Sequence, residues 1–200
     1  MRKFQIIIAL LCFTAVNAQV LLPGTLDVQG MPNFSQSITD VVMEAGEDDA
    51  ALGFETTFNA TEIGFVLDPT SVFGVEVSDT ETNCSANVFR YKVYMHTINA
   101  PADIIIEART FTDSGTALPL IGSSPYDNLP IQPLGPRGLT PENGGAYIAV
   151  PNNASQAIKV FEFIGCRTNI PIQFKVRPSA KARAVPANFD IYYTVVGSLM

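Results

Sequence analysis

A two-residue hydrophobic alternation that recurs along this 200-residue chain restricts its fold more than any other feature. Ile170, Ile172, Phe174 and Val176 alternate with Pro171, Gln173, Lys175 and Arg177. Phe189, Ile191, Tyr193 and Val195 alternate with Asp190, Tyr192, Thr194 and Val196. Successive side chains of an extended strand leave opposite faces of a sheet, so this period buries one face and wets the other. Phe73, Val75 and Val77 alternate with Gly74, Glu76 and Ser78, which reads as a half-buried strand. Residues 88–98 place Tyr91, Val93 and Met95 on one face and Lys92, Tyr94 and His96 on the other. They turn through Asn99, Ala100, Pro101 and Ala102 into 103–111, and the two segments read as a hairpin. With 54–58, 61–67, 145–150 and 157–164, the count is about eight to ten strands, and no segment past the N-terminus carries a helical repeat. Short strands at turn-punctuated intervals predict an all-β antiparallel sandwich, immunoglobulin-like or jelly-roll. The chain has no Trp, so the core Trp of antibody-type domains is missing.

Arg2 and Lys3 precede an apolar run over 6–13, and Val16 and Ala18 stand at −3 and −1 of a cut before Gln19. This is the signal-peptide pattern, and it divides the chain into residues 1–18 and a single domain over 19–200. The apolar run is shorter than the roughly 20 residues of a membrane-spanning helix. Cys12 follows Leu11 where lipid attachment favours a small residue, and it leaves with the signal. The expected product is secreted and extracellular, or periplasmic or surface-bound in a bacterium, with no membrane insertion of the mature chain. Cys84 and Cys166 then remain, and in an oxidising compartment they are expected to form a disulfide. They are too far apart for the CxxC spacing of a zinc or redox site.

Removal of Arg2 and Lys3 leaves 10 basic against 19 acidic residues, a net charge of −9. Such a surface repels phosphate backbones, so nucleic acid is not an expected partner. A composition 47% hydrophobic and 16% charged belongs to chains that fold.

Residues 118–145 stand apart, with six prolines and glycines at 122, 135, 138, 144 and 145. Loops of this length are uncommon in compact domains. Two readings apply: a rigid crossover between sheets, or a binding loop carrying Tyr126, Asp127, Asn128 and Arg137. His96 is the only histidine and alternates with solvent-facing neighbours, and no GxSxG surrounds a serine. No catalytic residue, metal ligand or cofactor is therefore assigned. The acidic cluster Glu44, Glu47, Asp48 and Asp49 lacks the alternating spacing of a calcium loop and reads as a solvated loop. Asn33, Asn59, Asn83 and Asn153 head Asn-X-Ser/Thr triplets and are candidate glycosylation sites. Arg177, Lys181 and Arg183 form a small basic patch that could contact an acidic partner.

These residues point to a non-enzymatic extracellular structural, adhesion or surface-interaction protein with a protein or carbohydrate surface partner. The last strand, over 188–196, could pair with a neighbour's open sheet edge and support self-assembly. A carbohydrate-binding module stacking sugars on Tyr94, Tyr126 and Tyr192 is the alternative. A glycoside hydrolase using paired carboxylates is a third reading.

Overall fold

The structure is a computed structural model, and it describes residues 21–34, 54–179, 181–182 and 186–198. The proposed signal peptide, the cluster Glu44, Glu47, Asp48 and Asp49, and Arg183 lie outside the described residues.

The fold is an all-β sandwich whose long spine is β12, the thirteen residues Cys166–Pro178. Its first half pairs antiparallel with β3 (Thr61–Leu67) on one side and β8 (Thr116–Leu118) on the other. Its second half pairs with β2 (Phe54–Glu55) and β7 (Ile104–Arg109). Beyond these, β1 (Gly24–Gln29) borders β3, and β10 (Ile148–Ala149) borders β7, which completes a seven-stranded sheet. The opposing sheet has four strands: β13 (Asp190–Ser198), β6 (Arg90–Ile98), β11 (Ile158–Ile164) and β9 (Thr140–Pro141).

The alternation in the sequence explains where the core sits. Ile170, Ile172 and Phe174 from β12 and Tyr91, Val93 and Met95 from β6 are all buried between the sheets. Phe65 of β3 bridges them, with its ring centroid 4.5 Å from Tyr91 and 6.3 Å from Phe163. Offset and tilted aromatic contacts of this kind add to burial itself. A register shift in β12 between Arg167 and Ile170 is accommodated by Asn169 at φ 53°.

Several details depart from the sequence reading. The described residues form thirteen strands, more than the eight to ten expected, because pieces of two or three residues leave no visible period. The segments 88–98 and 103–111 are not a hairpin: β6 and β7 lie in different sheets, and the turn at Asn99–Pro101 is a crossover. A short helix, α1 (Thr80–Ala86), stands where none was expected, capped by Asp79, whose carboxylate accepts the Thr82 N–H at 2.7 Å. Its seven residues span about two turns, too few for a 3.6-residue period to show. Cys84 lies in this helix and is disulfide-bonded to Cys166 at the start of β12, with Cα atoms 5.4 Å apart. The bridge therefore fastens α1 to the spine of the larger sheet.

The largest departure lies at residues 70–78. They form a separate two-stranded hairpin, β4 (Thr70–Val72) and β5 (Val75–Ser78), turning on Phe73 and Gly74. Val72, Val75 and Val77 are 51%, 66% and 60% exposed and Phe73 is fully exposed, so this alternation buries neither face.

Candidate functional site

The loop at 118–145 is closed by its own polar side chains. Tyr126 is buried, and its hydroxyl donates to the Gly135 carbonyl at 2.8 Å and accepts the Leu134 N–H at 3.1 Å. Asp127 accepts Arg137 Nε on Oδ1 at 3.0 Å and the Gly122 N–H on Oδ2 at 2.8 Å. Arg137 is 2% exposed and also donates to the Pro119 carbonyl at 2.7 Å. Ser124 Oγ donates to the Ser85 carbonyl, which ties the loop to α1. Buried backbone carbonyls need donors, and a proline-rich segment supplies few N–H groups. Tyr126 and Arg137 meet that need, as does Arg167, which no sequence signal singled out. Arg167 is 2% exposed and donates to the carbonyls of Ser114 at 2.6 Å, Asp113 at 2.8 Å and Arg137 at 3.4 Å. Burial pulls its guanidinium below the usual arginine range, partly offset by the nearby Asp113 carboxylate. Of the four residues proposed for a binding loop, Tyr126 and Arg137 point inward, Asp127 is largely enclosed, and Asn128 is exposed.

The four glycosylation candidates separate by burial. Asn33, Asn59 and Asn153 are exposed. Asn83 is 7% exposed; its Nδ2 donates to the Asp68 carbonyl at 2.7 Å, and its Oδ1 accepts Ser78 Oγ at 2.7 Å. A glycan on that nitrogen is sterically incompatible with this packing, so Asn83 serves as a clamp between α1 and the base of the β4–β5 hairpin.

On the outer face of the four-stranded sheet, Tyr192 of β13 stacks on His96 of β6, centroids 5.1 Å apart and planes 11° apart. His96 is consequently 8% exposed and does not face solvent as its position in the alternation suggested. Tyr94 and Tyr192 share this outer face, whereas Tyr126 lies inside the long loop.

Cations and carboxylates pair across strands. Arg177 grips Glu107 through two nitrogens at 3.0 Å, and Glu162 meets Arg90 at 2.8 Å and Lys159 at 3.0 Å. Burial raises the Glu162 pKa, but Lys159 and Arg90 outweigh it and hold the carboxyl below its ordinary range. The more enclosed paired carboxylates, Asp127, Glu107 and Glu162, each face a cation. A glycosidase needs two that face each other across a substrate. Asp27 and Glu62 help line a shallow depression of about 180 Å³ over β1, β3 and β12, where exposed Asp27 accepts Gln29 Nε2 at 2.9 Å. On the same outer face, toward the other end, Arg109 lies over the rings of Tyr147 at 4.3 Å and Phe111 at 5.0 Å. Burial pushes the Tyr147 phenol up to about 12. Among the described residues no group of three or more His, Cys, Asp or Glu is placed to hold a metal ion. No helix there is long and apolar enough to cross a membrane.

Comparison of the chain with protein-family models, with curated proteins and with solved structures finds no match in any of the three.

Proposed function

We propose that the mature chain is a secreted, non-enzymatic structural or surface-interaction module that engages a protein partner through the outer edge of β13. The observation that carries this reading is the placement of that strand. All nine residues of β13 are paired with β6 on one side, and among the described residues β13 is the last strand of its sheet. Ile191, Tyr193 and Val195 are partly buried and pack against the core, which seats the strand. Tyr192, Thr194 and Val196 point outward. A long, unpaired sheet edge is a template for main-chain pairing with another chain, and its outward side chains select the partner. Seated on β6, β13 offers its outer edge to the partner.

The test is complementation of a deletion in the source organism. A Thr194→Lys/Val196→Lys variant puts charges on the edge, which natural proteins use to block such pairing. If it is exported at wild-type levels, it should fail to restore the attachment or surface phenotype of the deletion. Full restoration would contradict the reading.

Tyr94 and Tyr192 on one outer face favour a second reading, a carbohydrate-binding face in which the rings stack on sugars. Glycan-array binding that is lost in Tyr192→Ala would establish it in place of the first.

A further inference from the structure

An asparagine followed by glycine carries a reaction that other asparagines resist. The backbone nitrogen of the next residue attacks the asparagine side-chain carbonyl carbon, and a side chain on that residue hinders the approach; glycine has none. Among the twelve asparagines of this chain one such pair occurs, Asn143–Gly144. It lies in the tight turn Glu142–Gly145, which leads from β9 to β10. Asn143, Gly144 and Gly145 stand in succession at φ 50°, 62° and 86°, a left-handed run that asparagine and glycine tolerate and larger residues do not. Asn143 is exposed, and its side-chain amide has no hydrogen bond to a described residue. A Cβ built on Gly144 would meet nothing within 4 Å, so there is open space in which the amide carbon can swing toward the Gly144 nitrogen. The Asn143 carbonyl accepts the Ala146 N–H at 3.2 Å, a long bond to release when this peptide rotates.

The other described asparagines are restrained. Asn83 and Asn87 are buried, with both the oxygen and the nitrogen of each amide hydrogen-bonded. Asn152 donates to the Ala100 carbonyl and accepts the Ala100 N–H. Asn153 Oδ1 accepts both the N–H and the hydroxyl of Ser155 at 3.0 Å. Asn59 and Asn99 are exposed but precede Ala60 and Ala100, whose methyl groups crowd the attacking nitrogen. The remainder precede Leu, Ile or Phe, which crowd it further.

We propose that Asn143 is a self-modification site, which converts spontaneously to aspartate and isoaspartate through a cyclic imide. The Gly144 nitrogen forms a bond to Asn143 Cγ, its proton passes through solvent to the departing side-chain nitrogen, and that nitrogen leaves as ammonia. Water then adds to one of the two imide carbonyls. Cleavage of the bond from nitrogen to Cγ gives aspartate, and cleavage of the bond from nitrogen to the backbone carbonyl carbon gives isoaspartate. Either route consumes one water and releases one ammonia, with no redox change. The new carboxylate stands next to Glu142, which shares its cation Lys159 with Glu162. Isoaspartate also inserts a methylene into the backbone between β9 of the four-stranded sheet and β10 of the seven-stranded sheet. The reaction thus marks the age of the molecule at a joint between its two sheets. The β13 edge takes no part in this chemistry.

The test is ageing of the folded protein in mildly alkaline buffer, followed by ion-exchange separation of charge variants, ammonia release and peptide mapping, with isoaspartate read by a carboxyl methyltransferase specific for it. Wild type should gain one negative charge and release one ammonia per chain, both mapped to Asn143, about tenfold faster than Asn59 or Asn99 converts. The aspartate product should co-elute with an Asn143→Asp variant, and the isoaspartate product should take up methyl groups. Asn143→Gly keeps the positive φ and removes the amide, so it should give the wild-type circular dichroism spectrum and no early charge variant. Asparagine retained at 143 while Asn59 or Asn99 converts, equal rates at these positions, or equal early ammonia release from Asn143→Gly would overturn the proposal. In each of these cases the complementation test on β13 is unaffected, so the two readings fail independently.

Discussion

The loop at 118–145 and the hairpin at 70–78 both project from the sheets, and their sequences suggest opposite roles. The loop, rich in proline and glycine and carrying Tyr126, Asp127 and Arg137, resembles a binding loop. In the fold Tyr126 and Arg137 satisfy the loop's own carbonyls, and Asp127 accepts Arg137 and the Gly122 N–H, which leaves these three little to offer a ligand. The hairpin, with Phe73, Val75 and Val77 in alternation, resembles an ordinary strand, yet all three are exposed, as are Leu120, Ile121, Leu129 and Ile131 of the loop. The difference shows that polar residues in a loop do not by themselves mark a ligand site. Where backbone donors are scarce, buried Arg and Tyr do the work of secondary structure. Apolar alternation, conversely, marks a surface that requires cover without specifying whether the cover is the domain's own core.

The contrast can be broken most forcefully at the disulfide. Cys84 and Cys166 are 82 residues apart in sequence, and replacing both with Ala should cost about 4 kcal/mol in chemical denaturation by the chain-entropy relation. A loss below about 1 kcal/mol would mean that the bridge does not secure the end of the molecule where loop and hairpin meet α1. Arg137→Ala should cost about 3 kcal/mol, because it leaves Asp127 enclosed without its cation and the Pro119 carbonyl without a donor. A near-neutral result would return this loop to the candidate binding surfaces. Asn83→Ala should cost about 2 kcal/mol through two lost part-buried hydrogen bonds, and it should loosen the hairpin base while leaving the long loop intact. Amide exchange that rises at 70–78 but not at 118–145 would confirm that order. At the hairpin face itself, Val75→Thr should change stability by less than about 0.5 kcal/mol, as exposed sites do.

Titration probes the packed tyrosines in another way. Burial raises the phenol pKa values of Tyr91, Tyr147 and Tyr193, with Tyr147 at about 12. The unfolded chain loses these protons near pH 10, so between about 10 and 12 the folded state binds more protons than the unfolded one. Stability is therefore fully present below pH 10 and falls as pH rises through that window. Tyr147→Phe should flatten the slope of a denaturation series over pH 9–12, and an unchanged slope would show that Tyr147 does not contribute.

The sequence made the longest elements legible. β13 follows the alternation closely, while β12 buries Pro171 and Gln173 and β6 buries His96 besides their core faces; removal of Cys12 with the proposed signal leaves one pair of cysteines to bond. What stayed hidden has physical causes. A turn such as Asn99–Pro101 serves a crossover as well as a hairpin, so β6 and β7 were placed side by side although they lie in opposite sheets. Phe73 at the tip of a primed turn contradicts the Asn-Gly signature that would have announced it. Asn83 reads as a glycan acceptor and Arg137 as a ligand contact because a sequence does not display burial. Arg167 carries no local signal, since its three carbonyl partners lie 30 or more residues away along the chain.

Hydrogen–deuterium exchange on the mature protein and its Arg137→Ala variant tests the contrast most directly. The expected result is faster exchange within 118–145 in the variant, with 70–78 unchanged. Exchange within 118–145 that the substitution leaves unaltered would contradict the account and return the long loop to the candidate interacting surfaces.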